Sequence, residues 1–149
     1  MQIKRELLND QIEKELIKLS ILWEQEASTY GYIRNNHEVF VNQIIFLCYD
    51  KDKVIGYAYG NYYDASRDHE IIRKDQKCFE IEEIYILKEY RNQGIGTKLF
   101  KFIEDQLKKE DIDFITLSTA DKDYKKIFHF YLDMLDMTFW SARLFKKLK

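Results

Sequence analysis

The sequence predicts an α/β (α+β) fold with a mixed central sheet, on three observations. Short apolar runs of strand character alternate along the chain with longer segments whose apolar residues recur at helical spacing. A strand, a helix and a strand over residues 79–118 form a β-α-β unit, whose strands are expected to be parallel. Two earlier runs, 43–49 and 54–62, flank the polar turn DKDK and predict an antiparallel hairpin.

The first part of the chain is predicted to hold one strand and two helices. Residues 3–7 read as a short strand. Asp10 followed by Glu13 is typical of a capping box, and the apolar spacing after it predicts an amphipathic helix over residues 10–26. The aromatic-rich stretch 28–40 predicts a second, shorter helix.

The second part of the chain continues the alternation of strands and helices. Its polar, mixed-charge start favours a loop, and its later segments show the periods of strand or helix. The predicted elements are a loop (64–77), a strand (79–87), a helix (94–109), a strand (113–118), a helix (123–135) and a last strand (137–145).

Composition and charge fit a single domain over residues 1–149. Of these residues 46% are hydrophobic, which permits a packed core. The formal net charge of −2 argues against a nucleic-acid-binding protein. No apolar run approaches the roughly 20 residues that span a bilayer, and the N-terminus lacks a signal-peptide core. We therefore expect a cytoplasmic protein with no nucleic-acid or membrane partner.

The sequence holds no pattern that predicts a metal site. Its two cysteines, Cys48 and Cys78, match neither a zinc spacing nor a disulfide framework, and they are expected to be reduced and packed in or beside strands. The three histidines are not spaced as metal ligands either. We expect no metal cofactor.

A glycine-rich turn is the most informative segment of the chain. Gly94 and Gly96 stand between a predicted strand and a predicted helix, where free N–H groups and the helix dipole favour an anion such as a phosphate. The spacing fails the Walker A pattern, and Leu99 stands where a Rossmann fingerprint needs a small residue. A plain strand-to-helix turn remains the alternative.

The segment Arg91-x-x-Gly94-x-Gly96, after a strand ending Ile84-x-Ile86, resembles the acetyl-CoA motif of the GNAT superfamily of acyltransferases. The resemblance implies a GNAT-like sheet, largely antiparallel with one parallel, splayed strand pair and about four helices. It also implies acetyl-CoA as co-substrate, with the pyrophosphate on the amides of the turn and the pantetheine arm beside the preceding strand. The implied coenzyme-binding residues are Ile84, Tyr85, Ile86, Arg91, Asn92, Gln93, Gly94, Ile95, Gly96, Thr97 and Tyr124.

A second, weaker match to the superfamily lies in the predicted helix 123–135. Tyr131 takes the position of the tyrosine that protonates the leaving thiolate in many members. Tyr124 replaces the usual asparagine, and the residues after Tyr131 depart from the common Leu-Gly-Phe. Core packing on an amphipathic helix is the alternative role for Tyr131.

The same resemblance points to a base for the attacking amine. An amine with a pKa near 10.4 is mostly protonated at neutral pH, so acyl transfer needs a proton acceptor. Regular alternation in strand 79–87 places Glu80 and Glu82 on the face of Ile84 and Ile86, and the superfamily often has its base at these two positions. Glu83 points the other way unless the strand is bulged. The alternative is that these are solvated surface carboxylates.

The resemblance implies an N-acetyltransferase that moves the acetyl group of acetyl-CoA to a primary amine by direct attack. A non-catalytic CoA-binding sensor or partner-binding module with the same fold is the alternative. The expected partner is a small-molecule or peptidic amine, with a homodimer left open. Acidic residues in the predicted acceptor region would suit a cationic amine: Glu24, Glu26, Asp64, Asp68 and Glu70.

Overall fold

The computed structural model describes all 149 residues and places five strands in one mixed sheet. The strands lie in chain order, and every neighbouring pair is antiparallel except the last, which is parallel. The predicted fold class is therefore confirmed. The strands are β1 Gln2–Glu6, β2 Ile44–Asp50, β3 Lys53–Asp64, β4 Lys77–Ile86 and β5 Phe114–Leu117.

The helices cover both faces of this sheet. They are α1 Asp10–Glu26, α2 His37–Phe40, α3 Ile95–Lys109 and α4 Tyr124–Phe128, with a 3₁₀ turn at Lys88–Tyr90 and a π-helical turn at His129–Met134. No helix combines the length and the hydropathy needed to cross a membrane.

The core is continuous through the sheet. Leu16 and Leu19 of α1 and Leu99 and Ile103 of α3 are fully or almost fully buried in one apolar cluster with the central strands. Burying such side chains stabilises the fold by roughly 1.5–3 kcal/mol each. The two helices therefore hold β2, β3 and β4 in place between them.

The start of α1 differs from the predicted capping box. The cap is Asn9, whose Oδ1 accepts a hydrogen bond from the backbone N–H of Ile12 at 2.9 Å. A side-chain oxygen at this position satisfies an N–H that the helix leaves free, typically contributing about 1 kcal/mol. Asp10 and Glu13 lie in the first turn, where acidic residues suit the helix dipole.

The parallel pair diverges along its length. β5 pairs with β4 only from Cys78 to Ile81, and β4 then runs on to Ile86 without a neighbour on that side. The implied splayed pair is therefore present. The gap opens a cleft at the level of the second half of β4.

A bulge in β4 changes the direction of its side chains beside this gap. Tyr59 of β3 pairs with Glu83, but the next residue, Gly60, pairs with Ile81, so Glu82 is an extra residue in β4. Such a bulge interrupts the alternation of side chains between the two faces.

The bulge overturns the prediction made from regular alternation. By the register on either side of it, Glu80 lies on the face of Glu83, and Ile84 and Ile86 lie on the opposite face. The predicted grouping of Glu80 with the two isoleucines is therefore wrong, whereas Glu82 is the bulged residue itself and lies outside the regular alternation.

The predicted helix 28–40 is mostly an ordered loop, and only α2 at its end is helical. α1 ends at Ala27 in a left-handed conformation, and Gly31 also has a positive φ. The backbone N–H of Tyr30 donates to the carbonyl of Ala120, and that of Asn35 donates to Ser20 Oγ. These tertiary hydrogen bonds replace the helical ones.

The predicted last strand, 137–145, is not formed. Asp136 has a positive φ, and the segment after it pairs with no strand. It makes side-chain contacts instead: Trp140 Nε1 donates to Glu70, and the ring of Phe145 lies edge-on to Tyr30. The aromatic composition favoured a strand, but a strand forms only where a neighbour supplies hydrogen bonds.

The predicted helix 123–135 is divided. Its α-helical part, α4, ends at Phe128, and residues from His129 to Met134 continue as a π-helical turn that contains Tyr131. A π turn widens the helix and redirects the side chains it carries, and such turns are frequent at functional sites.

The two cysteines behave as the sequence predicted. Cys48 lies in β2 and Cys78 in β4, and both are free and buried. Burial raises the pKa of the Cys48 thiol to about 12, which keeps it protonated and inert.

Candidate functional site

The candidate site is the cleft where β4 leaves β5. Its walls come from α1, the loop after it, the bulged part of β4, the loop after β5, and the helical segment that carries Tyr131. The lining residues are Trp23, Thr29, Tyr32, Ile81, Glu82, Glu83, Ile84, Leu117, Ser118, Thr119, Ala120, Asp121, Ile127 and Tyr131.

The cleft is acidic. Three of its lining side chains are the carboxylates of Glu82, Glu83 and Asp121, and no lysine, arginine or histidine lines it. The five acidic residues expected to form an acceptor pocket lie elsewhere, and Glu24, for example, is paired with Arg34 at 2.6 Å. The negative charge of the cleft therefore comes from β4 and the loop after β5.

Aromatic rings form one wall of the cleft. Trp23 stacks on Tyr32 with ring centroids 4.2 Å apart, and on its other neighbour Tyr85 at 5.3 Å. Trp23 thus lies between two rings, and stacking of this kind makes the wall rigid.

Glu83 is the best-anchored carboxylate in the cleft. Its Oε2 accepts hydrogen bonds from the Tyr57 hydroxyl at 2.6 Å, from Asn35 Nδ2 at 2.8 Å and from the Tyr32 hydroxyl at 3.4 Å. Burial raises the pKa of Glu83, and these hydrogen bonds oppose that rise. Regular alternation did not predict that Glu83 lines the cleft; the one available signal was Gly60, since glycine inside a strand often marks a bulge.

Tyr131 is the buried phenol of the cleft. It is only 7% exposed, and its hydroxyl makes no hydrogen bond within the chain. Burial raises its pKa, and the nearby charge of Asp121 adds to the effect. The hydroxyl oxygen is not among the buried polar atoms that lack a partner, so solvent reaches it and it is available to a molecule that enters the cleft.

The two residues predicted as the base, Glu80 and Glu82, lie in different places. Glu82 lines the cleft, whereas Glu80 does not. Burial raises the pKa of Glu80, and the charge of Glu82 contributes. The structure thus brings Glu82 and Tyr131 to one cleft and leaves Glu80 beside it.

The glycine turn lies at the end of β4, as the sequence predicted. Gly94 caps α3 with φ of +77°, a left-handed conformation that favours glycine. A Cβ on Gly96 would come within 3.2 Å of the Phe130 ring and 4.0 Å of Ile86, so the turn packs closely against the end of β4. The first N–H groups of α3 are free of helical partners and can bind an anion.

The side chain of Arg91 is engaged within the chain. Its guanidinium makes two hydrogen bonds to Glu26, both at 2.9 Å, and its Nε donates to the carbonyl of Ile86 at 2.8 Å. It also lies over the ring of Tyr85, whose hydroxyl donates to Glu26 at 2.6 Å. Arg91 thus joins the end of α1 to the end of β4.

Tyr124 lies away from the cleft. Its side chain is 58% exposed and contacts Phe128 edge-on, and it does not line the gap between the strands. Its part in coenzyme binding stays a prediction from the resemblance.

The splayed parallel pair and the glycine turn beside it form the arrangement that the resemblance implied. The model of the acetyltransferase (GNAT) family matches residues 5–135. The chain therefore belongs to the GNAT family of acetyltransferases. No curated protein sequence matches the chain significantly.

Solved structures share the fold at low sequence identity. An aminoglycoside acetyltransferase from an uncultured soil metagenomic sample, in complex with sisomicin, has a TM-score of 0.69 at 17% identity, covering 99% of this chain and 96% of its own. The ribosomal-protein-alanine N-acetyltransferase of Brucella melitensis has a TM-score of 0.68 at 14% identity, and the match covers 99% of this chain and 100% of its own. An aminoglycoside 6'-N-acetyltransferase of Acinetobacter haemolyticus has a TM-score of 0.64 at 16% identity, and the match covers 100% of this chain and 99% of its own. At such identities these likenesses show the fold alone.

The Arg91–Glu26 pair is expected to stabilise the domain measurably. Both side chains are less than one-third exposed, and hydrogen bonds to charged groups contribute about 1.5–3 kcal/mol when well formed. A double-mutant cycle with Arg91→Ala and Glu26→Ala should therefore give a coupling energy of about 1–2 kcal/mol in urea unfolding. The exposed pair Lys53–Glu89, at 3.7 Å, serves as control and should show no measurable coupling. Equal coupling in the two pairs would contradict a special role for Arg91.

Proposed function

We propose that this GNAT protein transfers the acetyl group of acetyl-CoA to a primary amine by direct attack in a ternary complex. The observation that supports this most directly is the solvent-reached, unpartnered hydroxyl of the otherwise buried Tyr131, in a cleft that also holds the carboxylate of Glu82. Acyl transfer to an amine needs an acid for the leaving group and an acceptor for the amine proton, and one cleft supplies a group of each kind.

The residues around the glycine turn fit the coenzyme. A phosphate group suits the free N–H groups at the start of α3, and the lack of a side chain on Gly96 permits close approach there. The segment from Ile84 to Ile86 has no strand neighbour on the side of β5. Apart from the Ile86 carbonyl, which accepts from Arg91, the backbone groups on that side are available to an extended ligand. Acetyl-CoA would supply the activated acetyl group as a thioester.

The protein's own groups then have separate tasks. The backbone N–H near Ile86 is suited to polarise the thioester carbonyl in the manner of an oxyanion hole. Glu82 accepts the proton of the attacking amine, directly or through water. Tyr131 donates its proton to the leaving sulfur. Glu80, outside the cleft, is the weaker candidate for the base.

The acceptor is proposed to be a small-molecule or peptidic amine. Two of the similar structures are named as aminoglycoside acetyltransferases and one as a ribosomal-protein-alanine N-acetyltransferase, so both kinds of acceptor occur among proteins of this fold. The cytoplasmic location, the homodimer and the absence of a metal requirement stay predictions from the sequence.

Substitution of Gly96 by valine is expected to weaken acetyl-CoA binding by at least about tenfold, because a side chain here meets the Phe130 ring and displaces the first turn of α3, whose N–H groups suit the phosphate. Isothermal titration calorimetry measures the affinity. The variant's melting curve must first show that it is folded. Unchanged affinity in a folded Gly96→Val protein would refute the assignment of the turn.

Replacement of Glu82 by glutamine should lower kcat by about 10²-fold, the lower range for loss of a general base. Glu80→Gln, the same change two residues away and outside the cleft, is the matched control and should alter kcat less than about threefold. If Glu80→Gln gives the larger loss, the roles of the two residues are reversed.

Tyr131→Phe removes one hydroxyl and retains the ring, so acetyl-CoA affinity and folding should persist. We expect kcat to fall about 10²-fold when free thiol release is followed with a reactive amine. Because burial raises the pKa of Tyr131, the phenol stays protonated over the ordinary assay range. The pH–rate profiles of the variant and of the wild-type protein should therefore have the same shape at alkaline pH. Wild-type kcat in this variant, measured where chemistry limits the rate, would reduce Tyr131 to a packing role. Acetyl-CoA binding without thiol release from any amine, even in the wild-type protein, would instead identify a coenzyme-binding module.

A further inference from the structure

The proton transfers proposed above leave two cleft carboxylates unused, Glu83 and Asp121. Glu83 lines the cleft, and all three of its hydrogen-bond donors approach the same oxygen, Oε2. Its other oxygen, Oε1, takes part in none of these three bonds. The neutral hydroxyl of Tyr59 lies beside the carboxylate, and Oε1 is not among the buried polar atoms that lack a partner, so solvent reaches it. One carboxylate oxygen is thus fixed by the protein and the other is presented to a ligand.

The three donors to Glu83 are neutral. Tyr57 and Tyr32 offer hydroxyls and Asn35 offers an amide, so the hydrogen bonds orient the carboxylate without neutralising it. The two arginines nearest in the chain to these walls, Arg34 and Arg91, are held by other glutamates. A half-buried carboxylate with no basic partner is costly unless a ligand supplies the opposite charge.

The aromatic wall helps to hold the Glu83 carboxylate in place. The Tyr32 hydroxyl bonds to Glu83, and the Tyr32 ring stacks on Trp23 at 4.2 Å. The hydroxyl edge of Tyr32 therefore faces the carboxylate, and Trp23 covers one face of the ring. The ionised carboxylate is the group that favours an ammonium group over a neutral hydrogen-bond donor.

We propose that the acceptor carries at least two ammonium groups, and that Glu83 binds the one that does not react. The inference rests on the proposed acetyl transfer to an amine and assigns Glu83 as a specificity-determining residue of that site. The unpartnered Tyr131 hydroxyl marks where one amine reacts, while the solvent-reached Oε1 of Glu83 marks where the second is held. Asp121 adds a third negative charge to the lining. The acceptor is thus a small polycationic amine.

Paired ligands of equal length test this without any variant. Putrescine is compared with n-butylamine, and cadaverine with n-pentylamine, in both calorimetry and thiol release from acetyl-CoA. We expect the diamine to bind, and to be acetylated with a kcat/KM, about 10–100-fold better than its monoamine, which is the range for one charge-assisted hydrogen bond. Sisomicin in a separate arm distinguishes a linear polyamine from an aminoglycoside as the better polycation.

Glu83→Gln should remove this preference selectively. The diamine should lose about 10–100-fold in affinity, and the monoamine less than about threefold, because only the second ammonium group meets residue 83. Glu6→Gln is the matched control: it makes the same change of charge in a glutamate that also accepts a bond from a tyrosine, at 3.0 Å, in β1 at the far edge of the sheet. It should leave the preference intact.

The possible outcomes distinguish this inference from the proposed acetyl transfer on which it rests. Equal binding and equal kcat/KM for diamine and monoamine would overturn the inference while acetyl transfer stands. Equal losses for both ligands in Glu83→Gln would likewise overturn it, since Glu83 would then support the cleft in general. Selective diamine binding with no thiol release from any amine would support the inference and refute acetyl transfer. If Glu83→Gln fails to fold, the ligand pairs on the wild-type protein still decide the question.

Discussion

The cleft depends on one extra residue in β4 and on the glycine that faces it. Gly60 of β3 runs so close to the bulge that a Cβ on it would lie 2.0 Å from the carbonyl oxygen of Glu80, so no other residue fits without moving the strands. With the bulge in place, Glu82 and Glu83 both line the cleft. A regular strand would send neighbouring side chains to opposite faces. The acidic character of the site therefore follows from the local backbone geometry of β3 and β4.

The bulge also places the carboxylate of Glu83 where burial is costly, and neighbouring hydrogen-bond donors offset part of that cost. Burial disfavours the ionised form of Glu83, yet three neutral donors from α1's following loop and from β3 are directed at its Oε2. Hydrogen bonds to a charged group offset part of the desolvation cost. What they leave is an oriented carboxylate without a cation, in a cleft whose other titratable lining residues are two further carboxylates and two tyrosines.

The two ends of the site are held together by side chains distant in sequence. Glu26 at the end of α1 receives both the guanidinium of Arg91 and the hydroxyl of Tyr85, and Arg91 in turn reaches the carbonyl of Ile86. The wall that carries Trp23 is thereby fixed relative to the turn that carries Gly94. In this way the proposed acceptor side and the proposed coenzyme side of the cleft share one rigid connection.

The amino-acid sequence alone determined the mixed sheet, the antiparallel hairpin, the long helices α1 and α3 and the glycine turn, because each rests on a local period or on turn chemistry. It also singled out Glu82 and Tyr131, which the structure brings to one cleft. The sequence-based prediction failed for the loop before α2, where tertiary hydrogen bonds override the local preference for a helix. It also failed for the last predicted strand, which has no strand neighbour. The side-chain directions in β4 were likewise decided by tertiary structure, because a one-residue bulge reverses them and depends on the register with β3. The partners of Arg91 and Glu83 come from α1, the loop after it and β3, and only the folded chain brings those segments together.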